Sequence, residues 1–196
     1  MTRFVRIVAS SGTPKLTAVR QTKKQLEDGY DPRTDFWKAA RDRIVRVHRQ
    51  GQGKAQIRAL LRELSDQKKI AAYPRAIDGY ARFWGRKDIR WFDPVSGDYG
   101  RGDITVSVNP ELGLVFGGAH YLVKLYFPAK PELSKVKADV VCHVMDRALR
   151  VQARNVTMAV LDVGRNRLFA PTVPVPGLDA ALIGELAYIS SVWDHV

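Results

Sequence analysis

The sequence predicts an α+β fold, with a basic, mainly helical part over residues 1–86 and an α+β part over residues 87–196. Three observations predict it. Amphipathic helical patterns fill residues 15–86, the period changes to strand-like alternation from Ile89, and a helical stripe returns after Pro131. The length of 196 residues is also compatible with one continuous domain.

The first part begins with "TRFVRIVAS", whose alternation predicts a short strand. Helical patterns follow Pro14. In "TDFWKAARDRIVRVHRQG", Thr34 and Asp35 are N-cap candidates and Gly51 ends the helix. The apolar stripe of "KAQIRALLRELSD" predicts the next helix. "PRAIDGYARFWGRKD" predicts another that begins at Pro74, because proline is favoured at the first helical position.

The second part predicts an antiparallel meander from the strand patterns "IRWF", "DITVSVN", "LGLVFGG" and "YLVKLYF". "ELSKVKADVVCHVMDRALR" then predicts a helix with a buried stripe of Val136, Val140, Val144 and Ala148. "VTMAVLDV" and "RLFAP" flank a turn and predict a second hairpin, and residues 178–196 predict a closing helix.

The composition, 45% hydrophobic and 27% charged, is typical of a soluble globular protein. A single cysteine, Cys142, excludes a disulfide framework and a cysteine zinc cluster. The N-terminal apolar stretch is interrupted by Arg6, which is unlike a signal peptide, and no apolar run has membrane-spanning length. We therefore expect a reduced, cytoplasmic protein without membrane contact.

The net charge of +12 is concentrated in the N-terminal part. Residues 1–70 hold 17 Lys and Arg against 7 Asp and Glu, whereas residues 71–196 hold 15 against 13. Because each neutralised phosphate releases counterions, DNA or RNA is the expected partner of such a surface. An acidic protein partner and an ordinary solvated helix face are the alternatives.

The candidate phosphate-binding residues lie in two stretches, a helix near residue 40 and the segment "RFWGRKDIRWF". They are Lys38, Arg41, Arg43, Arg46, Arg49, Arg82, Arg86, Lys87 and Arg90. The second stretch interleaves basic residues with aromatic ones, including Trp84 and Trp91. These rings are either part of the core at the junction of the two parts or a stacking platform for unpaired bases.

Lys124 lies within the apolar run "YLVKLYF" and has two interpretations. Strand alternation places Leu122, Lys124 and Tyr126 on one face. The lysine is either solvated, guarding a sheet edge against strand pairing, or a chemically functional group held where water is scarce.

From residue 74 to about residue 163, the predicted order helix, three strands, helix, strand resembles the core of the restriction-endonuclease-like nucleases. The resemblance implies that Lys124 positions an attacking water and that carboxylates hold a divalent metal such as Mg²⁺. That family has an acidic residue two positions before the lysine, where this chain has Leu122. The candidate catalytic residues are therefore Lys124 with Asp103, Glu111 or Asp139, and outside this alternative we expect no cofactor.

The helix after Lys124 carries Lys135, Asp139, His143, Asp146 and Arg150 on one face. Asp139 and His143 could ligate one metal ion, but two ligands on one helix without a third are weak evidence for a metal site. The simpler interpretation is two ion pairs, Lys135 with Asp139 and Asp146 with Arg150. The neighbouring Cys142 is expected to fill the core edge and not to act as a nucleophile.

Overall fold

The computed structural model describes residues 1–29, 35–171, 173 and 175–196. Its helices are α1 (Thr2–Ala9), α2 (Gly12–Glu27), α3 (Lys38–Arg49), α4 (Ala55–Ala59), α5 (Gln67–Trp84), α6 (Lys135–Leu149) and α7 (Leu178–Trp193). A 3-10 turn, Leu60–Glu63, follows α4. The strands are β1 (Arg90–Phe92), β2 (Gly97–Arg101), β3 (Ile104–Val108), β4 (Leu112–Phe116), β5 (Ala119–Tyr126), β6 (Thr157–Asp162) and β7 (Arg167–Phe169). The predicted α+β class is confirmed.

The main sheet has five strands in the order β1-β4-β5-β6-β7. Its pairs are antiparallel except β5 and β6, which are parallel and joined through α6. The predicted meander is only partly correct, because β3 pairs with β2 in a separate hairpin and β4 pairs with β1. Strand β2, over Gly97–Arg101, was not predicted because "GDYGR" lacks an apolar alternation.

Helices cover both faces of this sheet, so the chain has two cores. Leu122 and Tyr126 of β5 face a core shared with α1, α2, α6 and α7. Val123 and Leu125 face a second core shared with α3, α4 and α5. Because helices cover both faces, β5 is buried from Leu122 to Tyr126, and this determines the environment of Lys124.

The predicted first strand is wrong, since Thr2–Ala9 forms helix α1. Phe4, Val5, Ile7 and Val8 are all buried in this helix, where spacings of three and four residues place them on one side. That side contacts α2 and α6. A stretch of eight residues fits both the strand and the helix period, and packing decides between them.

The predicted start of α5 is also wrong. The helix begins at Gln67, and the side chain of Asp66 caps it by accepting hydrogen bonds from the backbone N–H groups of Lys68 and Lys69. Pro74 lies inside the helix. A proline there removes one backbone hydrogen bond, and burial of the following turns, including Ile77 and Tyr80, offsets the loss. In α3, which begins at Lys38, Trp37 and not the predicted Asp35 occupies the N-cap position, and Thr34 lies outside the described residues.

The predicted stripe of α6 is partly correct. Val140 and Val144 are buried, but Val136 is 69% exposed and Ala148 is only half-buried. The buried face instead continues through Ala138, Val141, Cys142, Met145 and Leu149. It is wider than one stripe because α6 lies between the sheet, α1 and α7.

Within the part of the chain that the structure describes, no helix combines the length and the apolarity needed to cross a membrane.

Candidate nucleic-acid interface

Three of the candidate cations on α3 are held by carboxylates. Lys38 pairs with Asp42 one turn away, and the Arg41 guanidinium lies 2.7 Å from the Asp35 carboxylate. Arg43 pairs with Glu63 and also donates to the carbonyl of Gln56. The side chains of Arg41 and Arg43 are only 18% and 11% exposed, so both contribute to the protein's own packing. Changing them would alter stability as well as surface charge.

The other six candidate cations are exposed. We call this set the basic face, and it consists of Arg46, Arg49, Arg82, Arg86, Lys87 and Arg90. Within the described residues, Arg46, Arg82, Arg86 and Arg90 form no ion pair with a carboxylate. Lys87 donates to the Phe83 carbonyl and lies over the Phe83 ring.

The basic face draws on three elements whose ends meet. The His48 ring, near the end of α3, stacks on Trp84 at a centroid distance of 4.3 Å. Its Nε2 is 2.6 Å from the Tyr80 hydroxyl, which joins α3 to α5. Arg49 lies over the Trp91 ring, 5.5 Å from its centroid, and joins α3 to β1. The parts of α3, α5 and β1 that carry or adjoin the exposed cations therefore lie next to one another.

The charge of the surrounding segment is strongly positive. Residues 38–90 hold 15 Lys and Arg against 5 Asp and Glu. The next acidic residue, Asp93, is 82% exposed and lies 3.6 Å from the Arg49 guanidinium. The Asp93 carboxylate also accepts a 3.2 Å hydrogen bond from the Trp91 indole nitrogen. Asp93 thus places one anion within the basic face.

Burial of His48 lowers its pKa from 6.5 to about 4, because the charged imidazolium would lose its hydration between α3 and α5. The His48 side chain is therefore neutral at pH 7. Its contact with the Tyr80 hydroxyl keeps the ring in place against Trp84. The junction that organises the basic face depends on this uncharged histidine.

We expect the His48 junction to weaken in acid. Above pH 6.5 the imidazole is neutral in both the folded and the unfolded protein, whereas between pH 6.5 and about 4 mainly the unfolded protein takes up the proton. The free energy of unfolding should therefore fall by about 2 kcal/mol more between pH 7 and pH 4.5 in the parent than in His48→Gln. Urea unfolding at the two pH values measures this, with the exposed His195→Gln as control. Equal pH dependence in parent and His48→Gln would contradict it.

The structure overturns the interpretation of Lys124 as a solvated edge residue. Lys124 is 1% exposed, and its strand β5 is paired on both sides. Its Nζ lies 2.5 Å from the Oε1 atom of Glu111 and 3.4 Å from the carbonyl of Asn109. The second carboxylate oxygen of Glu111 accepts the backbone N–H of Leu125 at 2.8 Å. The pair is a buried, hydrogen-bonded cross-strand ion pair.

Of the three carboxylates considered with Lys124, Glu111 alone contacts it among the residues described. Asp103 is exposed in the turn between β2 and β3, at the opposite end of β3 from Asn109. Asp139 is buried on α6, where it pairs with Lys135 at 2.5 Å. No group of three or more His, Cys, Asp or Glu side chains in the described parts of the chain could hold a metal ion. The described residues do not fit the metal site that the nuclease resemblance implies.

The predicted ion pairs on α6 are present. Lys135 pairs with Asp139 and Arg150 with Asp146, while the His143 imidazole lies 2.8 Å from the Asp179 carboxylate on α7. Cys142 is buried, and burial raises the pKa of its thiol far above the usual range. A thiol held in its protonated form is a poor nucleophile.

A cleft of about 690 Å³ runs along the outer face of α3. Its lining includes Arg41, Arg46, Arg49 and, at one side, Glu111. The buried Lys124 lies directly behind that carboxylate. Cations of the basic face therefore adjoin the Lys124–Glu111 pair.

Comparison with known proteins gives no relative. No protein-family model matches the chain, and neither a curated protein nor a solved structure does.

Two residues of the interface were not identified from the sequence. His48 follows Ile44 by four residues and so continues the apolar stripe of α3, which is a recognisable signal of a buried position. Asp93 follows the basic and aromatic segment directly, but only the folded chain brings it to Arg49.

Proposed function

We propose that the protein binds nucleic acid through contacts of the basic face with the phosphate backbone. One observation carries the proposal. Arg46, Arg82, Arg86 and Arg90 are exposed on or next to α3, α5 and β1, which meet through His48, Trp84 and Trp91, and they form no ion pair with the residues described. Holding such charges together has a repulsive cost, which a polyanionic ligand would relieve.

Guanidinium groups suit this role because their planar N–H donors can contact two phosphate oxygens at once. Contacts of this kind position a nucleic acid without reading its bases. We therefore expect affinity to depend strongly on salt and weakly on sequence. The paired Arg41 and Arg43 support the helix that carries Arg46 and Arg49 and are not primary phosphate ligands.

A salt titration tests the proposal. Binding of labelled oligonucleotides, followed by fluorescence anisotropy, should weaken steeply with salt, with a log–log slope corresponding to about 4 to 6 neutralised phosphates. Lack of binding to both DNA and RNA at low salt would refute the proposal. The basic face would then be better explained by an acidic protein partner.

Asp93→Asn should increase nucleic-acid affinity by about two- to fivefold, since the effect of one exposed charge is modest. The Asp93 carboxylate competes with phosphate for Arg49, from which it lies 3.6 Å away, whereas an asparagine oxygen can still accept the Trp91 N–H. Anisotropy titrations of parent and variant measure the change. The exposed but remote Asp194→Asn is the control, and an equal increase in both would contradict a specific role for Asp93.

A divergent metal-dependent nuclease, whose metal site the described residues do not complete, is the second candidate function. The observation that favours it is the position of Glu111, which lines the α3 cleft and holds Lys124. Magnesium-dependent cleavage of a labelled oligonucleotide by the parent, lost in Glu111→Gln with folding retained, would establish it. The basic face would then be its substrate-binding surface.

A further inference from the structure

The tryptophans differ in what their rings contact. Trp37 stacks between Tyr73 and Phe127, at centroid distances of 5.1 Å and 5.2 Å. Trp84 stacks on His48. These contacts bind both rings into the protein's own aromatic packing.

Trp91 also packs against the core that contains α3 and α5, but it differs because its ring neighbour is a cation of the basic face. The Arg49 guanidinium lies 5.5 Å from its ring centroid, and Arg90 precedes it in β1. Its side chain is half-buried and therefore keeps some exposed surface. An indole beside arginines is the combination that binds unpaired bases by stacking while the cations hold the backbone.

The orientation of Trp91 is fixed before any ligand binds. Its backbone is held opposite Leu114 by the pairing of β1 with β4. Its indole nitrogen donates to the Asp93 carboxylate, and that carboxylate also lies near Arg49. A ring held in this way loses little conformational entropy when a base stacks on it.

We infer that the nucleic acid bound by the basic face is single-stranded and that Trp91 stacks on one of its unpaired bases; this rests on the proposed function. In a duplex both faces of each base are covered by neighbouring bases, and exposing one costs a few kcal/mol. Bases of a single strand are open to an aromatic ring without that cost. Trp91 therefore favours single strands, while the arginines bind phosphates of either form.

The test compares a fluorescein-labelled oligothymidylate with the same strand annealed to its complement. Trp91→Leu should weaken single-strand binding by about tenfold and leave duplex binding and the salt slope unchanged. Trp91→Phe should retain most of the single-strand affinity, because a phenyl ring also stacks. Trp37→Phe is the control, because Trp37 packs between Tyr73 and Phe127, and it should change neither affinity.

A second measurement does not depend on affinity changes in Trp91→Leu. Oligothymidylate should quench the tryptophan fluorescence of the parent and of Trp37→Phe, but not that of Trp91→Phe, and the duplex should quench none of them. Equal loss of single-strand and duplex binding in Trp91→Leu, or no loss in either, would overturn the stacking inference alone. A parent that binds neither ligand would overturn the proposed function as well.

Discussion

Changing Arg46, Arg82, Arg86 and Arg90 together to Gln is expected to weaken nucleic-acid binding by about 30-fold to 1,000-fold at low salt. This range assigns about 0.5 to 1 kcal/mol to each lost exposed contact. All four side chains are exposed and form no ion pair with the described residues, so the melting temperature should change little. Anisotropy titrations and thermal unfolding followed by circular dichroism measure the two effects.

The control removes the same amount of charge elsewhere. Arg20, Lys24, Arg147 and Arg154 are also exposed, and they lie on or after α2 and α6, away from the basic face. Their change to Gln lowers the net charge equally and should weaken binding only slightly, through the long-range field. Equal losses in both variants would mean that total charge, and not the basic face, attracts the ligand.

Lys124→Met is expected to lower the free energy of unfolding by about 3 to 5 kcal/mol, because it leaves the partner of a buried ion pair uncompensated. Glu111 would keep its hydrogen bond from the Leu125 N–H but lose the cation 2.5 Å away. For a protein of this size the melting temperature should fall by about 10 °C. Urea unfolding of the parent and the variant tests this.

The double variant Lys124→Met with Glu111→Gln is the matched control. Removing both charges leaves no unpaired buried ion, so its stability should exceed that of Lys124→Met alone. A loss below about 1 kcal/mol in Lys124→Met would mean that the pair is solvated and would contradict its burial. Loss of a magnesium-dependent cleavage in a variant that still folds would instead favour the nuclease.

The sequence predicted most of the helices because their apolar periodicity is long and regular. In α3, the spacing of Ala40, Ile44 and Val47 is enough to identify the buried side of the helix. The failures occurred where local patterns are short or ambiguous. Thr2–Ala9 fits both the strand and the helix period. In α5, the start of the helix is determined by the cap at Asp66 and not by Pro74.

The environment of Lys124 could not be read from "YLVKLYF" alone. Its burial depends on helices packing on both faces of β5, a long-range property that alternation within one strand does not contain. Its partner, Glu111, was easier to predict from the sequence. Extending the β4–β5 pairing of Leu112 with Val123 by one residue places Glu111 opposite Lys124, and opposite charges favour such cross-strand positions.

The candidate interface was predicted only in part for a similar reason. A helical pattern shows which residues leave the apolar stripe, but it does not show which cations find carboxylate partners. Arg43 pairs with Glu63, twenty positions away, whereas Arg46 remains exposed three positions further along the same helix. Such pairing depends on where the fold places the 3-10 turn, which carries Glu63, relative to α3.

The slope of binding against salt, compared between the parent and the two quadruple variants, tests the central claim most directly. If the four arginines contact phosphate, their change to Gln should reduce the log–log slope by about 3, since each contact contributes about 0.7 to 0.9. The remote variant with Arg20, Lys24, Arg147 and Arg154 changed should keep the slope of the parent. If the first variant kept the slope of the parent, or if both variants reduced it equally, binding through the basic face would be contradicted.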